Sequence, residues 1–220
     1  MNKKKTKIKK RTTNKKNSSG RREGPKKSLP VTVSVYKTGS SGCEEILCAG
    51  FGGQGIMFMG KLLAQSGLID SMSVTWMPSY GAEVRGGTAH SMVKIGESPI
   101  PSPTIAQPTI CVVMNKPSLQ KFFERVRPGG FLLVNTTLID GSPKRGDITV
   151  LNVPVTGIAS KLGTVKVANM VAIGALIRKT RLFSIKTIMA ALQALLEDKG
   201  EDIFLLNKKA FEAGYRSVRG

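Results

Sequence analysis

From residue 44 onward, short continuous apolar runs alternate with longer stretches of helical periodicity, and glycine- or proline-rich turns separate them. Glu45-Ile-Leu-Cys-Ala49 reads as a short buried strand, and Gly50-Phe-Gly-Gly-Gln-Gly55 as a turn. Ile56 to Leu68 carries apolar residues at helical spacing, with Ile56, Met59, Leu63 and Leu68 among them. Further strands are predicted at Ser73–Met77, His90–Ile95, Thr109–Met114, Phe131–Asn135 and Asp147–Val153. Further helices are predicted at Pro117–Val126, with proline at its start, and over the C-terminal third at Val167–Thr180, Ser184–Lys199 and Ile203–Ala213. Strands alternating with helices predict an α/β, Rossmann-like layered domain with a largely parallel sheet and a helical C-terminal third. No internal repeat is visible.

Composition adjusts this picture in two places. A chain of 220 residues suits one ordinary domain plus a tail, and a hydrophobic content of 40% excludes wholesale disorder. No apolar run reaches the length of a membrane span. The net charge of +20 is unevenly placed. Residues 1–29 hold 13 of the 34 basic residues and only one acid, Glu23, a formal +12 that leaves +8 on the rest. The extreme charge is therefore largely a property of the tail, and the moderately basic body suits anionic ligands or an acidic partner. The three cysteines, Cys43, Cys48 and Cys111, form no C-x-x-C pair; the odd count argues against a disulfide framework and favours neutral thiols in a reducing cytoplasm. The basic start is not followed by an apolar stretch, so no secretory signal is read.

Residues 1–42 are expected to form a disordered basic tail and linker, and residues 43–220 the folded domain. The tail has three readings: a nucleic-acid arm, a transit or nuclear signal, or sequence upstream of the native start. No aromatic residue interrupts its basic run to stack on bases, so nucleic-acid binding is expected only through unspecific charge, if at all. Val31-Thr-Val-Ser-Val-Tyr36 is the first β-like stretch, and Gly39-Ser-Ser-Gly42 reads as a flexible joint.

Gly50-x-Gly52-x-x-Gly55 follows a strand and opens a helix, the context a phosphate-binding turn requires. Glycine lets the backbone approach a ligand closely, and the helix beyond directs free N–H groups and its positive dipole end at the loop. The same spacing also serves a tight strand-to-helix turn with no ligand. A dinucleotide site requires an acid at the end of the second strand for the ribose hydroxyls. Val74-Thr-Trp-Met77 runs instead into Pro78-Ser79, with Asp70 before it and Glu83 well after it. This weakens the reading as a stand-alone dinucleotide-binding protein.

Pro78-Ser-Tyr-Gly-Ala-Glu-Val-Arg-Gly-Gly-Thr88 is the second unusual segment. Arg85 offers a planar fork to phosphate or carboxylate, Gly86 and Gly87 leave backbone N–H groups open beside it, and Glu83 is placed to orient Arg85. A structural Glu83–Arg85 pair that stabilises the loop is the plainer alternative.

Together the loop Gly50–Gly55 and the run Val74–Ala89 resemble the gamma subunit, or gamma domain, of pyruvate and other 2-oxoacid:ferredoxin oxidoreductases. Asn115-Lys-Pro-Ser-Leu119, Arg127-Pro-Gly-Gly130 and Val167-Ala-Asn-Met-Val-Ala172 continue the likeness in order, over roughly residues 44–213. Thr75-Trp-Met77 before the second loop looks most similar to the 2-oxoglutarate or branched-chain enzymes. The tail has no counterpart in the family, which supports a start-site or organism-specific origin for it. A shorter product would need a non-Met start, for example at Val31 or Val33, because the next methionine is Met57.

The resemblance implies a heterotetrameric, multi-subunit enzyme that decarboxylates a 2-oxoacid on thiamine diphosphate, passes electrons through iron–sulfur clusters to ferredoxin and transfers the acyl group to coenzyme A. This chain has no Gly-Asp-Gly motif and no cysteine cluster. Thiamine diphosphate, Mg and [4Fe–4S] clusters are therefore expected on alpha, beta and delta partner subunits, with no catalytic or metal residue here. The resemblance assigns coenzyme A contact to Gly50, Gly52, Gly53, Gln54 and Gly55 of the first loop, and to Tyr80, Gly81, Glu83, Arg85, Gly86, Gly87 and Thr88 of the second. Some of these residues are equally suited to the subunit interface. Outside the loops, the single histidine, His90, reads as structural or interfacial. Trp76 and Met77 read as core or interface packing. Asn169 begins a helix rich in small residues, where close helix packing is the simplest role.

Overall fold

The computed structural model describes residues 42–79, 88–141 and 143–219. The chain divides into two units, Met1–Val33 and Ser34–Gly220, and the described strands and helices belong to the second. The expected tail, the β-like stretch at Val31–Tyr36 and all of the joint except Gly42 lie outside the described residues.

Six strands form one sheet: β1 (Cys43–Gly50), β2 (Ser73–Ser79), β3 (Ala89–Gly96), β4 (Ile110–Val113), β5 (Phe131–Asn135) and β6 (Thr149–Val153). Their spatial order is β2-β3-β1-β4-β5-β6. β1, β4, β5 and β6 run parallel, each paired to the next. β3 runs antiparallel to both β1 and β2, so the expected α/β sheet is mixed but mostly parallel.

β1, β4 and β5 are buried on both faces, which is why they read as continuous apolar runs. Alternate residues divide between two cores. Ile46, Cys48, Val93, Val112 and Leu133 face the helices α1 (Ile56–Ile69), α3 (Val155–Lys161), α4 (Ala168–Thr180), α5 (Ile185–Leu196) and α6 (Glu201–Arg216). Leu47, Ala49, Cys111, Val113 and Leu132 face α2 (Lys116–Phe122), whose Phe122 fills the opposite side with Val126.

Glycine permits the two closest approaches between layers. α1 settles onto the sheet where Gly60 meets Ser91 and the Trp76 indole; that indole N–H donates to Ser91 Oγ at 2.8 Å. α4 and α6 cross through Gly174, which lies against the Phe211 carbonyl, and Gly214, which lies against the Val171 carbonyl. Close helix packing thus accounts for the small residues of α4, as their spacing suggested.

Helix α3 has no counterpart in the sequence-based expectation. Val155, Thr156 and Gly157 are poor helix formers, so no helical signal stands out. Its first turn is held from outside instead. Asn135 Oδ1 accepts Thr156 N–H at 3.2 Å, and Thr137 Oγ1 accepts Gly157 N–H at 2.9 Å. Elsewhere the boundaries move by a few residues: the helix expected at Pro117–Val126 is α2 followed by a 3-10 turn, Phe123–Arg125.

A methyl group added at the α4–α6 crossing must push backbone aside. Gly174→Ala and Gly214→Ala are each expected to cost about 1–3 kcal/mol, read as a fall in the urea-unfolding midpoint. Gly146→Ala, where a Cβ meets open space, should leave it unchanged.

Candidate functional site

β1 connects through α1 toward the β2 edge of the sheet, and β4 connects through α2 toward the β6 edge. The two helices lie on opposite faces. The carboxyl ends of β1 and β4 therefore diverge at a topological switch point, the position where open α/β sheets bind ligands.

The first loop leaves β1 at this point. A Cβ at Gly50 would stand 3.0 Å from Met114 Cβ and 2.7 Å from Ile56 Cδ1, so glycine here serves close packing between β1, β4 and α1. Gly53 (φ 88°) and Gly55 (φ 72°) are left-handed, and Gly55 is the N-cap of α1. Gln54 clamps the turn: its Oε1 accepts Phe51 N–H at 2.7 Å, and its Nε2 reaches the Met114 carbonyl at 3.5 Å. Gln54 N–H in turn donates to the Phe51 carbonyl at 3.2 Å.

Helix α1 begins without a side-chain cap, and the first N–H of the loop–helix junction to find a backbone acceptor is that of Met59, at 2.9 Å from the Gly55 carbonyl. The N–H groups of Gly52, Gly53, Gly55 and the first turn, Ile56–Phe58, have no acceptor among the described residues. These are the orphan donors of a helix start, reinforced by the helix dipole. No acid stands in the first turn of α1, α2, α3 or α4, whereas α6 opens with Glu201 and Asp202. A cavity of about 320 Å³ lies beside the loop, lined by Phe51, Gly53, Gly55, Met57, Phe58 and Ala89 among others. It combines anion-ready donors with an apolar wall.

The second loop is anchored at the same end. Gly50 pairs with Ala89, so the end of the loop adjoins the first one, while its start, Ser79, pairs with His90 one strand further out. Thr88 is buried at the entry to β3. Tyr80, Gly81, Glu83, Arg85, Gly86 and Gly87 lie outside the described residues. β3 intervenes between β1 and β2, so the second strand, which ends in Pro78-Ser79, is not the neighbour of the first. A dinucleotide fold pairs those two strands and ends the second in an acid. This chain does neither.

Sequence reasoning left three polar residues here without a site role. Asn169, at the start of α4, presses its amide against Gly55, and its Oδ1 accepts Met170 N–H at 2.9 Å. Asn135 donates to the Met114 carbonyl at 3.1 Å and to Thr156 Oγ1 at 2.9 Å. Asn115 caps α2 by accepting Ser118 N–H at 2.8 Å. The signal for this cap was present, an Asn followed two residues later by Pro at the end of an apolar strand. His90 packs its ring against Phe122, with centroids 5.3 Å apart.

The opposite end of the sheet is internally paired. Glu45 bridges Lys94 at 2.8 Å and Arg127 at 2.9 Å, and Thr109 donates to Glu44 Oε2 at 2.7 Å. No group of three or more metal-ligating side chains occurs among the described residues. Burial pushes the Cys48 thiol up to about 12, and raises Cys111 further. A thiol reagent near pH 8 is therefore expected to modify only the partly exposed Cys43 in the native chain and all three cysteines after denaturation. Fast native reaction of Cys48 or Cys111 would show that the central strands open.

The family model for pyruvate ferredoxin/flavodoxin oxidoreductase matches residues 45–217. The ketoisovalerate oxidoreductase subunit VorA of Methanothermobacter thermautotrophicus is 40% identical over 126 residues, 57% of this chain; the chain spans only 26% of that relative's length. The 2-oxoglutarate synthase subunit KorC of Methanocaldococcus jannaschii is 35% identical over 80% of this chain and 94% of its own. Among solved structures, the gamma subunit of a keto/oxoacid ferredoxin oxidoreductase from Geobacter sulfurreducens superposes with a TM-score of 0.68 at 28% identity, covering 79% of this chain and 97% of that one. The 2-oxoglutarate:ferredoxin oxidoreductase of Magnetococcus marinus, solved with 2-oxoglutarate, coenzyme A and succinyl-CoA bound, shares the fold at 23% identity (TM-score 0.71) over 80% of this chain and 32% of its own. The family model matches within the stretch expected to fold, residues 43–220, and the KorC relative covers most of the chain. On these grounds the chain belongs to the pyruvate ferredoxin/flavodoxin oxidoreductase family, as a domain of its gamma type.

Proposed function

We propose that this chain is the gamma component of a 2-oxoacid:ferredoxin oxidoreductase, and that the switch-point cradle at Gly52–Phe58 holds the phosphate-bearing part of coenzyme A. The observation that carries this reading is the row of N–H groups at the start of α1 that have no partner among the described residues, beside a cavity of about 320 Å³ with an apolar wall. Coenzyme A pairs anionic phosphates with an apolar pantetheine arm, and both find a matching surface here. The bound coenzyme supplies the thiol that accepts the acyl group. The chain's own residues bind and orient it: Gly53 and Gly55 bare the backbone, Gln54 fixes the turn, and Thr88 marks where the second loop joins.

The remaining chemistry is assigned to partners, with thiamine diphosphate, Mg and [4Fe–4S] clusters on alpha, beta and delta subunits. The described residues of this chain show no metal-ligand cluster of their own, and no helix among them is long and apolar enough to cross a membrane. The substrate is assigned to 2-oxoglutarate or a branched-chain 2-oxoacid. KorC and VorA, the relatives named above, belong to enzymes of those two classes.

Co-purification of the chain from native extract, followed by viologen reduction with several 2-oxoacids, tests the assembly. Thiamine-bearing partners and coenzyme A-dependent activity on one acid are expected. A chain recovered alone and inactive overturns it. Within an active complex, Gly53→Val forces a β-branched side chain to φ 88° at an exposed point of the cradle. It is expected to raise the KM for coenzyme A at least about tenfold, with the 2-oxoacid KM unchanged. Equal KM values for both proteins would remove the loop from the coenzyme A pocket.

A further inference from the structure

β2 is the outermost strand of the sheet, and among the described residues only β3 pairs with it. Its other edge is a row of backbone N–H and C=O groups, which folded proteins ordinarily blunt with a charge, a bulge, a proline or a very short strand. β2 makes little use of these. Its register against β3 runs unbroken over seven residues, Ser73 to Ser79, and the strand carries no charged residue. Its single proline, Pro78, stands next to the last position. β6, at the opposite edge, is five residues long and exposes no large apolar side chain.

The side chains beside the β2 edge are apolar and open. Gly60 and Gly67 let α1 lie against Trp76 and Val74. Leu68, the residue after Gly67, therefore stands near the start of β2, and it is 57% exposed. Ile69 follows it and is exposed as well. Trp76 is 38% exposed although its indole N–H is bound to Ser91 Oγ. It is thus a rigid aromatic of the kind that anchors protein interfaces. Open apolar side chains along an unblunted strand edge mark an interaction surface.

Charge selects the occupant. The chain beyond residue 29 carries a formal +8, so its surface as a whole repels a second copy. The β2 side does not share that bias. The strand is neutral, and α1 with its C-cap offers one charge of each sign, Lys61 and Asp70, of which Asp70 accepts from Thr187 Oγ1 at 2.9 Å. A strand edge is also self-complementary: turned about a two-fold axis, its donors meet its own acceptors in an antiparallel ladder. The axis keeps both α1 helices on one face of the joined sheet, where they come alongside each other above strands about 4.8 Å apart. A neutral, self-complementary edge suits a copy of itself and gives a charged partner no handle.

We infer that the β2 edge is an interface between two copies of this chain, paired antiparallel about a two-fold axis so that two six-stranded sheets join into one and Leu68, Ile69 and Trp76 are covered. The seam runs along the outer strand and does not depend on the coenzyme A reading.

Trp76 is the only tryptophan of the chain, so its fluorescence reports this seam alone. The full chain is followed by sedimentation equilibrium, Trp76 emission and acrylamide quenching from about 1 to 200 µM. The mass is expected to rise to two copies, while over the same range the emission moves to the blue and quenching falls. Leu68→Lys sets a cation into the seam of each copy and is expected to weaken the pair at least about tenfold. Its urea-unfolding midpoint at the dilute end stays that of the parent, because Leu68 is exposed. Ile69→Lys serves if Leu68→Lys fails to fold. A chain that stays monomeric throughout overturns the inference. So does a two-copy species whose Trp76 signals do not follow its mass, or one that the lysine variant leaves intact, because the copies then meet through another face. A mass that climbs beyond two copies overturns it too, since a two-fold edge contact closes on itself.

Discussion

β3 runs against β1 over eight residue pairs, from Cys43 opposite Gly96 to Gly50 opposite Ala89. That ladder determines where everything at the carboxyl end of the sheet must stand. With β3 inserted antiparallel between β1 and β2, the second strand ends two strands from the glycine turn, at Ser79, and the chain returns beside it, with Ala89 paired to Gly50. The register allows no slack, because a one-residue slip would exchange Val93 and Met92 between the two cores.

The ladder would not suffice if α1 could float above it. Gly60 lets α1 sit down on Ser91, the residue opposite Cys48, and the Trp76 indole locks the same Ser91 from β2. At its start α1 is held by Gly55 against Asn169, which ties the loop to α4; α4 is in turn wedged against α6 through Gly174 and Gly214. The position of the unpartnered N–H groups is thus inherited from a chain of backbone contacts that runs across the whole helical layer. Rigid support of this kind is what a binding turn needs, since a cradle made of backbone cannot repack as side chains do.

Much of this was legible in the sequence. The apolar runs at Ile46–Ala49, Ile110–Val113 and Phe131–Val134 announce buried strands because both faces of the sheet are covered, and the long helices announce themselves by period. The glycine turn was readable as a strand-to-helix junction, and the small residues of α4 as a packing seam. The orientation of β3 was not readable, since alternation of apolar residues says nothing about strand direction. Helix α3 was hidden because its first turn is stabilised by Asn135 and Thr137 from another strand, a tertiary contact with no local trace. Gln54 illustrates the same limit within the site: the resemblance assigns it a ligand contact, whereas the hydrogen bonds of its side chain to Phe51 and Met114 are visible only in the fold.

Asn115 is the converse. The sequence offers Asn115-Lys-Pro-Ser118 as a helix cap and as part of the family likeness, and only the fold shows that half of its amide has no partner among the described residues. Caps are normally complete in themselves: one oxygen, one N–H. Among the described residues the fold thus leaves donors unspent at two places, the main chain of the glycine turn and the amide that caps α2, each beside a different face of the sheet.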